Sequence, residues 1–594
     1  MSLNSAAYIA FSGLSAAQVQ IAIASSNISN ADTTGYTEEI ADQESTVTGG
    51  AGSGVQITGI STNIDKLLLK SLIGATSDLG SADTANTYLT ELEDLYGTVD
   101  GSSSSSTATG TSLANTLASF ESALSSLAAT PSSSSLQSAA LQALSEVTTQ
   151  LNETSSGIQS LRSNADQDIA SSVQSVNSDL QQIASLNSEI KQVAASGQST
   201  ADLEDQRNTA LKDIASKMNV SYYTTSNGDL QVYTSSGQAL VDASGAHKIS
   251  YTTASDVTSS TTYPSSGFSG ITVNGVDITS QITSGKIGAL VTLRDKTLPA
   301  AQSQLDELAQ QLSSSLNAVS NQGTAVPAPT SLTGTTSVTS GQSLSGSTGT
   351  VRIAEVDSSG KLKGYLDLDL STVSTVGDVV TQINSSTATS GLSASINSSG
   401  QLVISATGSG DGVAINEMTS SVGASGEGFS DYFGLNDLVT GSSASDIAVR
   451  SDLLDGSAAL PTATLDGSAT LSTGSSVLSS GSQTVVNDLY DALTGSTSFA
   501  AAGGLAATTG TFANYAASIV SDAATKSSNA SAAYTAKQTA QSTYSSSLSS
   551  ESGVNLDQES ARLSSLQNEY SAASELISAI EQMFSSLISA IQAG

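Results

Sequence analysis

The first residues carry apolar side chains alternately four and three apart: Leu3, Ala7, Ala10, Leu14, Ala17, Ile21, Ala24 and Ile28. That spacing keeps one helix face apolar and predicts a coiled-coil seam. The helix is expected to stop within Asn27-Ile28-Ser29-Asn30-Ala31-Asp32-Thr33-Thr34-Gly35-Tyr36, where Asn, Asp and Gly supply turn conformations. A Gly-rich loop, Gly49 to Gly54, then leads into the alternating run Val55 to Ile60. From about Asp65 to Gln322 the pattern is helical, with seams such as Leu113, Leu117, Phe120, Leu124, Leu127 and Ile169, Val173, Val176, Leu180, Ile183. Pro131 marks a break between two of these helices.

Between Val220 and Gly285 the period changes to two, and Asn227-Gly228 followed by Leu230, Val232 and Tyr233 predicts a hairpin. Helix resumes with Leu298, Leu305, Leu308, Leu312, Leu316 and Val319. Beyond Pro327 and Pro329, Ser, Thr and Gly are punctuated by short runs such as Leu402-Val403-Ile404 and Val413-Ala414-Ile415. These predict an outer β domain, with disorder of the Ser-rich gaps as the alternative. From Thr484 the pattern is helical to the end, closing on the seam Leu563, Leu566, Tyr570, Ala573, Ile577, Ile580, Phe584, Leu587 and Ile591.

The expected fold class is α+β multidomain: terminal coiled-coil helices and a long helical bundle core, with inserted β-rich domains. The terminal domain takes 1–40 and 553–594, and the helical core 41–217, 285–323 and 482–552. A β subdomain takes 218–284 and the outer domain 324–481. The N-terminal seam offers only four large side chains, so neither end is expected to hold its helix without packing on neighbouring subunits.

Composition narrows the function. The 53 acidic residues against 18 basic give a formal charge of −35, which repels phosphate backbones and anionic lipid, so neither nucleic acid nor membrane is an expected partner. No apolar run of about 18 residues is evident, so no spanning helix is expected. Met1-Ser2-Leu3-Asn4-Ser5 lacks the basic and apolar regions of a cleavable signal. There is no cysteine, and His247 is the single histidine, which removes thiolate chemistry, histidine triads and polyhistidine metal sites. His247 reads as a solvated turn residue.

Asp367 and Asp369 lie outside any calcium-loop pattern, and Gly50, Gly52 and Gly54 lack a P-loop's Lys-Ser or Lys-Thr. Asp205-Gln206-Arg207 reads as helix charge pairs with Lys212 and Asp213. No catalytic residue, metal site or cofactor is expected, and the chain is not expected to be an enzyme.

The block from Ser26 to Tyr36 resembles the signature shared by rod, hook and hook-associated axial proteins of the bacterial flagellum. Ser552-Gly553-Val554-Asn555-Leu556-Asp557-Gln558-Glu559, with Leu566, Gln567 and Tyr570, is similar to that group's C-terminal signature. Asp202-Leu203-Glu204-Asp205-Gln206-Arg207-Asn208, Leu230-Gln231-Val232-Tyr233, Gly237 to Val241, Gly285 to Leu290 and Leu293-Arg294-Asp295 resemble the hook-associated branch. The chain departs from its relatives at Glu38 and Glu39, where Arg is frequent, and at Ser61-Thr62-Asn63. Between Thr324 and Gly481 the likeness is patchy, clearest at Gly428 to Asp437.

The resemblance implies an extracellular structural subunit at the hook–filament junction, exported through the flagellar channel without a cleavable signal. Its implied partners are further copies in a ring-like homo-oligomer, hook protein, hook-associated protein 3 and an export chaperone. The implied assembly residues are Leu3, Leu14, Ile21, Asn27, Ile28, Asn30, Gly35 and Tyr36, with Leu563, Leu566, Tyr570, Ile577, Ile580, Phe584, Leu587 and Ile591 at the other end. Alternatives are another axial subunit of hook or distal-rod type, or a secreted acidic β-rich adhesion protein.

Overall fold

The structure, a computed structural model, describes residues 3–33, 35–48, 50–97 and 112–592. Thr34, Gly49 and the helical pattern expected across 98–111 lie outside the described residues. Helix α1 (Leu3–Asn30) leads into an antiparallel hairpin, β1 (Glu39–Thr48) and β2 (Ala51–Thr62). The loop expected at Gly49–Gly54 is therefore corrected, because Gly52 and Gly54 belong to β2 and the turn is made at Gly50, φ +82°. Glycine hid the strand by removing the alternating side chains, and at Gly54 it is required: a Cβ there would collide with Ser12 of α1.

Four helices follow: α2 (Lys66–Leu95), α3 (Leu113–Ala129), α4 (Ser134–Ala195) and α5 (Ala201–Lys217). Short strands β3 (Ser221–Thr224), β4 (Leu230–Tyr233), β5 (Ala239–Asp242) and β6 (Gly245–Ala246) make one sheet in sequence order. A second comprises β7 (Ile249–Ser250), β8 (Thr272–Val273) and β9 (Val276–Asp277). Gly228, φ +84°, turns the β3–β4 hairpin at the Asn-Gly pair. Helix α6 (Gly285–Thr292) passes through a π-helical turn into α7 (Leu298–Ser320).

Beyond α7 come β10 (Ser331–Ser337), β11 (Thr350–Val356), β12 (Leu362–Asp369), α8 (Val376–Ser385), β13 (Leu392–Ile396), β14 (Gln401–Ala406) and β15 (Gly412–Asn416). They form two three-stranded sheets, β10-β14-β13 and β12-β11-β15. The short helix α9 (Phe429–Phe433), the pair β16 (Val439–Thr440) and β17 (Ala448–Val449), and α10 (Ser451–Leu454) complete this region. The final segment holds α11 (Thr484–Thr494), a hairpin of β18 (Thr497–Phe499) and β19 (Thr508–Gly510), α12 (Phe512–Ser552) and α13 (Leu556–Gln592). That hairpin corrects the expectation of uninterrupted helix from Thr484. It is held by Phe499, whose ring stacks 4.1 Å from Tyr515 and meets Phe512 edge-on at 5.4 Å.

The chain divides into two compact units. One comprises 1–89, 162–295 and 527–594. Its core includes Ile169, Val173, Val176, Leu180 and Ile183 of α4, all nearly inaccessible, with Leu211, Ile214, Leu230 and Val232. The strand-poor stretch around Tyr251 to Phe268 is held by two buried arginines. Arg294 pairs with Asp166 at 3.1 Å and Asp295 at 2.8 Å and lies over the Phe268 ring, while Arg162 donates to the Thr258 carbonyl at 2.9 Å. A buried guanidinium is tolerated when its donors are matched in this way.

The other unit comprises 90–161 and 296–526. Here α11 packs on α3 and α7, and Leu113, Leu117, Phe120, Leu124 and Leu127 are all buried. The β-rich stretch has its own core of Val351, Ile353, Val413, Ile415, Leu402 and Ile404, closed by Phe429 and Phe433. Its Ser-rich gaps are turns between strands. Asp367, at an edge of this stretch, is paired with Arg352 at 2.7 Å.

Candidate assembly site at the paired chain ends

Helix α1 lies between the β1–β2 hairpin and α13. Small residues permit the close approach: Ala10, Ala16, Ala17 and Ala24 are buried with Ile23. On the hairpin side, Ser12 Oγ accepts the Val55 N–H at 3.1 Å and Gln20 Nε2 donates to Gln43 Oε1 at 2.6 Å. Against α13, Ala7, Tyr8 and Phe11 face Ile577, Ile580 and Phe584 across an apolar groove of about 450 Å³.

The expected seams occupy these facing surfaces unevenly. Leu566 and Ile580 are buried, whereas Leu14, Ile21, Ile28, Leu563, Tyr570, Ile577 and Phe584 are half-buried. Leu3 is 37% exposed, Leu587 52% and Ile591 72%, so cover is thinnest at the tip of the pair. Beside the seam stand exposed apolar residues that a single heptad register overlooks: Tyr8, Phe11, Leu576, Met583 and Ile588. The seven-residue step from Leu576 to Met583 was the available signal. One expectation needs correcting: α1 is long and apolar enough, by length and composition, to cross a membrane. Its Ser, Asn and Gln dilute the apolar run, but no charged residue interrupts it.

Below the groove, the motif residues form a joint. Asn27 is fully buried and serves as a strand partner for Glu39, accepting its N–H and donating to its carbonyl, both at 3.0 Å. The Tyr36 hydroxyl donates to the same Asn27 oxygen at 2.9 Å. Asn30 closes the last turn of α1 by donating to the Ser26 carbonyl at 3.1 Å, and Gly35, φ +87°, reverses the chain. Thr37 then donates its N–H to Asp205 at 2.7 Å, and its hydroxyl to the same carboxylate at 2.9 Å. Glu38 N–H donates to the Ser552 carbonyl at 2.8 Å, tying the lead-in of β1 to the end of α12.

Asp205 and Arg207 therefore do not make the surface charge pairs expected of them. Both are buried, Arg207 donating to Asn187 Oδ1 at 3.0 Å and the Gly228 carbonyl at 2.8 Å. Their partners lie apart in sequence, which local spacing does not reveal, and Arg207 keeps its buried Nε without a partner. Burial pushes the Asp205 carboxyl up to about 6 against the pull of the Thr37 hydrogen bonds, and pushes the Tyr36 hydroxyl up to about 12. A polar cavity of about 320 Å³ lies here, lined among others by Gly35, Thr37, Asp205, Ser549 and Val554. Among the described residues no group of three or more His, Cys, Asp or Glu is placed to hold a metal. His247 is also corrected: its Nε2 lies 2.8 Å from Asp242 and its Nδ1 3.2 Å from Asn274, so it links two small sheets.

The arrangement brings opposite chain ends together around hydrogen-bonded turns and an apolar groove. It suits holding and docking helices. Residues 8–37 match the family described as flagella basal body rod protein, and 545–590 match the C-terminal family of the flagellar basal body rod FlgEFG proteins. Residues 102–335 match the helical domain of flagellar hook-associated protein FlgK, and 350–408 match the flagellin hook IN motif. All four are families of flagellar proteins, and together they make the chain similar to the axial proteins of the bacterial flagellum.

Flagellar hook-associated protein 1 of Salmonella typhimurium is 26% identical over 322 residues, covering 53% of this chain and 56% of the relative. Its Escherichia coli counterpart is 26% identical over 316 residues, covering 52% and 55%. The chain thus spans little more than half the length of the curated relatives it matches. The flagellar hook junction protein FlgK from Burkholderia pseudomallei superposes with a TM-score of 0.46 at 17% identity, covering 80% of this chain and 98% of that one. Among axial proteins, the helical-domain match and the curated relatives support a likeness to flagellar hook-associated protein 1.

Proposed function

We propose that this protein is a structural subunit of the flagellar hook–filament junction, works outside the cell and catalyses no reaction. The observation that carries the reading is the pairing of α1 with α13, from opposite chain ends, with apolar side chains bare at its tip. A monomer gains nothing from such a tip, whereas a packed array of subunits buries it. In this reading the pair behaves as a coiled coil, and its seam residues contact neighbouring copies in a ring.

The partners that follow are hook protein on one side and hook-associated protein 3 on the other, with an export chaperone covering the C-terminal seam before secretion. The terminal domain is then 1–40 with 553–594, the helical core 41–217, 285–323 and 482–552, the β subdomain 218–284 and the outer domain 324–481. The outer stretch fits an insertion, because Gly323 at its start lies against Pro461 and Val485 near its end. Electron microscopy of cells lacking the gene tests the function. Hooks without filaments and flagellin shed into the medium are expected, restored by the intact gene; filaments of normal number and attachment would refute it.

A further inference from the structure

The chain has no cysteine, so its methionine thioethers are the only sulfur open to oxidation. Met1 lies outside the described residues, and the other three stand in different surroundings. Met218, which ends α5, is 0% exposed; Met418, past β15, is 39% exposed; Met583 of α13 is 51% exposed. Met583 is also the one set within an apolar surface. Leu576 lies seven residues before it and Leu587 four after, so the three project from one side of α13, and both leucines are exposed. Ile580, three residues back, is buried at the groove against α1.

A thioether is soft and apolar and fills irregular gaps in a docking surface; its sulfoxide is a strong acceptor that must keep a donor. Water supplies that donor while the face is open. Once a second helix covers the face, the paired helices have little to offer instead: α1 holds no basic residue, and Arg562 of α13 stands near the opposite end of that helix. We propose that Met583 is a peroxide-oxidation site that switches off docking of the unassembled subunit, an inference that rests on the reading of this face as a docking surface.

The sulfur attacks one oxygen of hydrogen peroxide and the O–O bond breaks. The proton on the transferred oxygen passes to the departing hydroxide, leaving sulfoxide and water; sulfur loses two electrons and the peroxide gains them. No protein acid or base takes part, so exposure of the sulfur sets the selectivity. A copy already assembled has this face covered and is spared. Oxidant outside the cell therefore removes free subunits from assembly and leaves finished junctions intact.

Treating the native full chain with dilute hydrogen peroxide, then digesting it for mass spectrometry, measures oxygen uptake at each methionine. Met583 is expected to oxidise at least about tenfold faster than Met218. Binding of the treated chain to hooks isolated from cells lacking the gene should fall at least about fivefold while circular dichroism holds. Met583→Leu, compared with itself before and after peroxide, should show no fall, whereas Met418→Leu should fall as the unmodified chain does. Oxidation of Met583 no faster than Met218 overturns the proposal. So do full oxidation of Met583 with undiminished binding, an equal fall in Met583→Leu, and unfolding on treatment. An untreated chain that does not bind hooks refutes the junction reading and the proposal with it.

Discussion

Helices α7 and α13 carry equally regular apolar seams, yet one is sealed and the other is only partly covered. In 23 residues α7 buries Leu298, Leu305, Leu308, Leu312 and Leu316 together with Gln302, Gln304 and Ser313. In 37 residues α13 buries only Glu559, Leu566 and Ile580. Periodicity reports where a helix is apolar; it says nothing of what covers that face. Polar residues make the same distinction: Gln304 of α7 donates to Asp522 at 2.9 Å, whereas buried Glu559 keeps an unpartnered oxygen. A helix finished within its own unit satisfies both kinds of group, whereas α13 satisfies each only in part.

The widest test of this contrast is Leu308→Asp. Leu308 is 0% exposed, so an unpaired charge there should cost at least about 4 kcal/mol and abolish cooperative melting of the 90–161 and 296–526 unit. Calorimetry that still shows both units melting normally would mean that the α7 seam is not the core it looks to be. A smaller loss is expected at Asn27, which feeds both backbone groups of Glu39 and the Tyr36 hydroxyl. Asn27→Ala strands those groups at a cost of about 1–3 kcal/mol, readable as a lowered melting point of the unit holding the chain ends.

Asn27 also shows what the sequence conveyed. Its motif was recognisable and α1 stops where Asn and Gly accumulate, but its role as partner to a strand edge depends on a chain reversal that spacing does not encode. The heptads of α3, α4 and α7 and the Asn227-Gly228 turn were legible because each is a local pattern that packing reinforces. Asp205 was misread because Thr37, which binds it, lies 168 residues away. The β18–β19 hairpin was invisible because its residues are mainly Ala, Thr and Gly, with Phe499 its sole large buried side chain. Tyr8 and Phe11 were overlooked because a heptad register follows one face only.

Further along the pair, Ile577→Asp with Phe584→Asp sharpens the contrast. Both side chains are half-buried in the groove against α1, so the isolated chain should lose no more than about 1 kcal/mol while the charges bar any second helix from the face. Circular dichroism and melting temperature should hold while incorporation into hooks is lost. A collapse of the monomer like that expected of Leu308→Asp would place α13 in the same class as α7.

The smallest effect on the monomer belongs to Leu587→Ser with Ile591→Ser. These side chains are 52% and 72% exposed, beyond the groove, and have little burial to lose. Their removal should change monomer stability by no more than about 0.5 kcal/mol, and limited proteolysis should still trim α13 from its C-terminal end first. In an assembly that covers them, each large apolar side chain is worth about 1.5–3 kcal/mol of transfer free energy, so even partial burial makes the double substitution weaken incorporation at least about tenfold. Quantifying the variant in isolated hooks against the unmodified chain at equal expression measures that ratio. Equal incorporation would show that the last two turns of α13 stay in water after assembly, and would confine the docking surface to the stretch between Leu563 and Phe584.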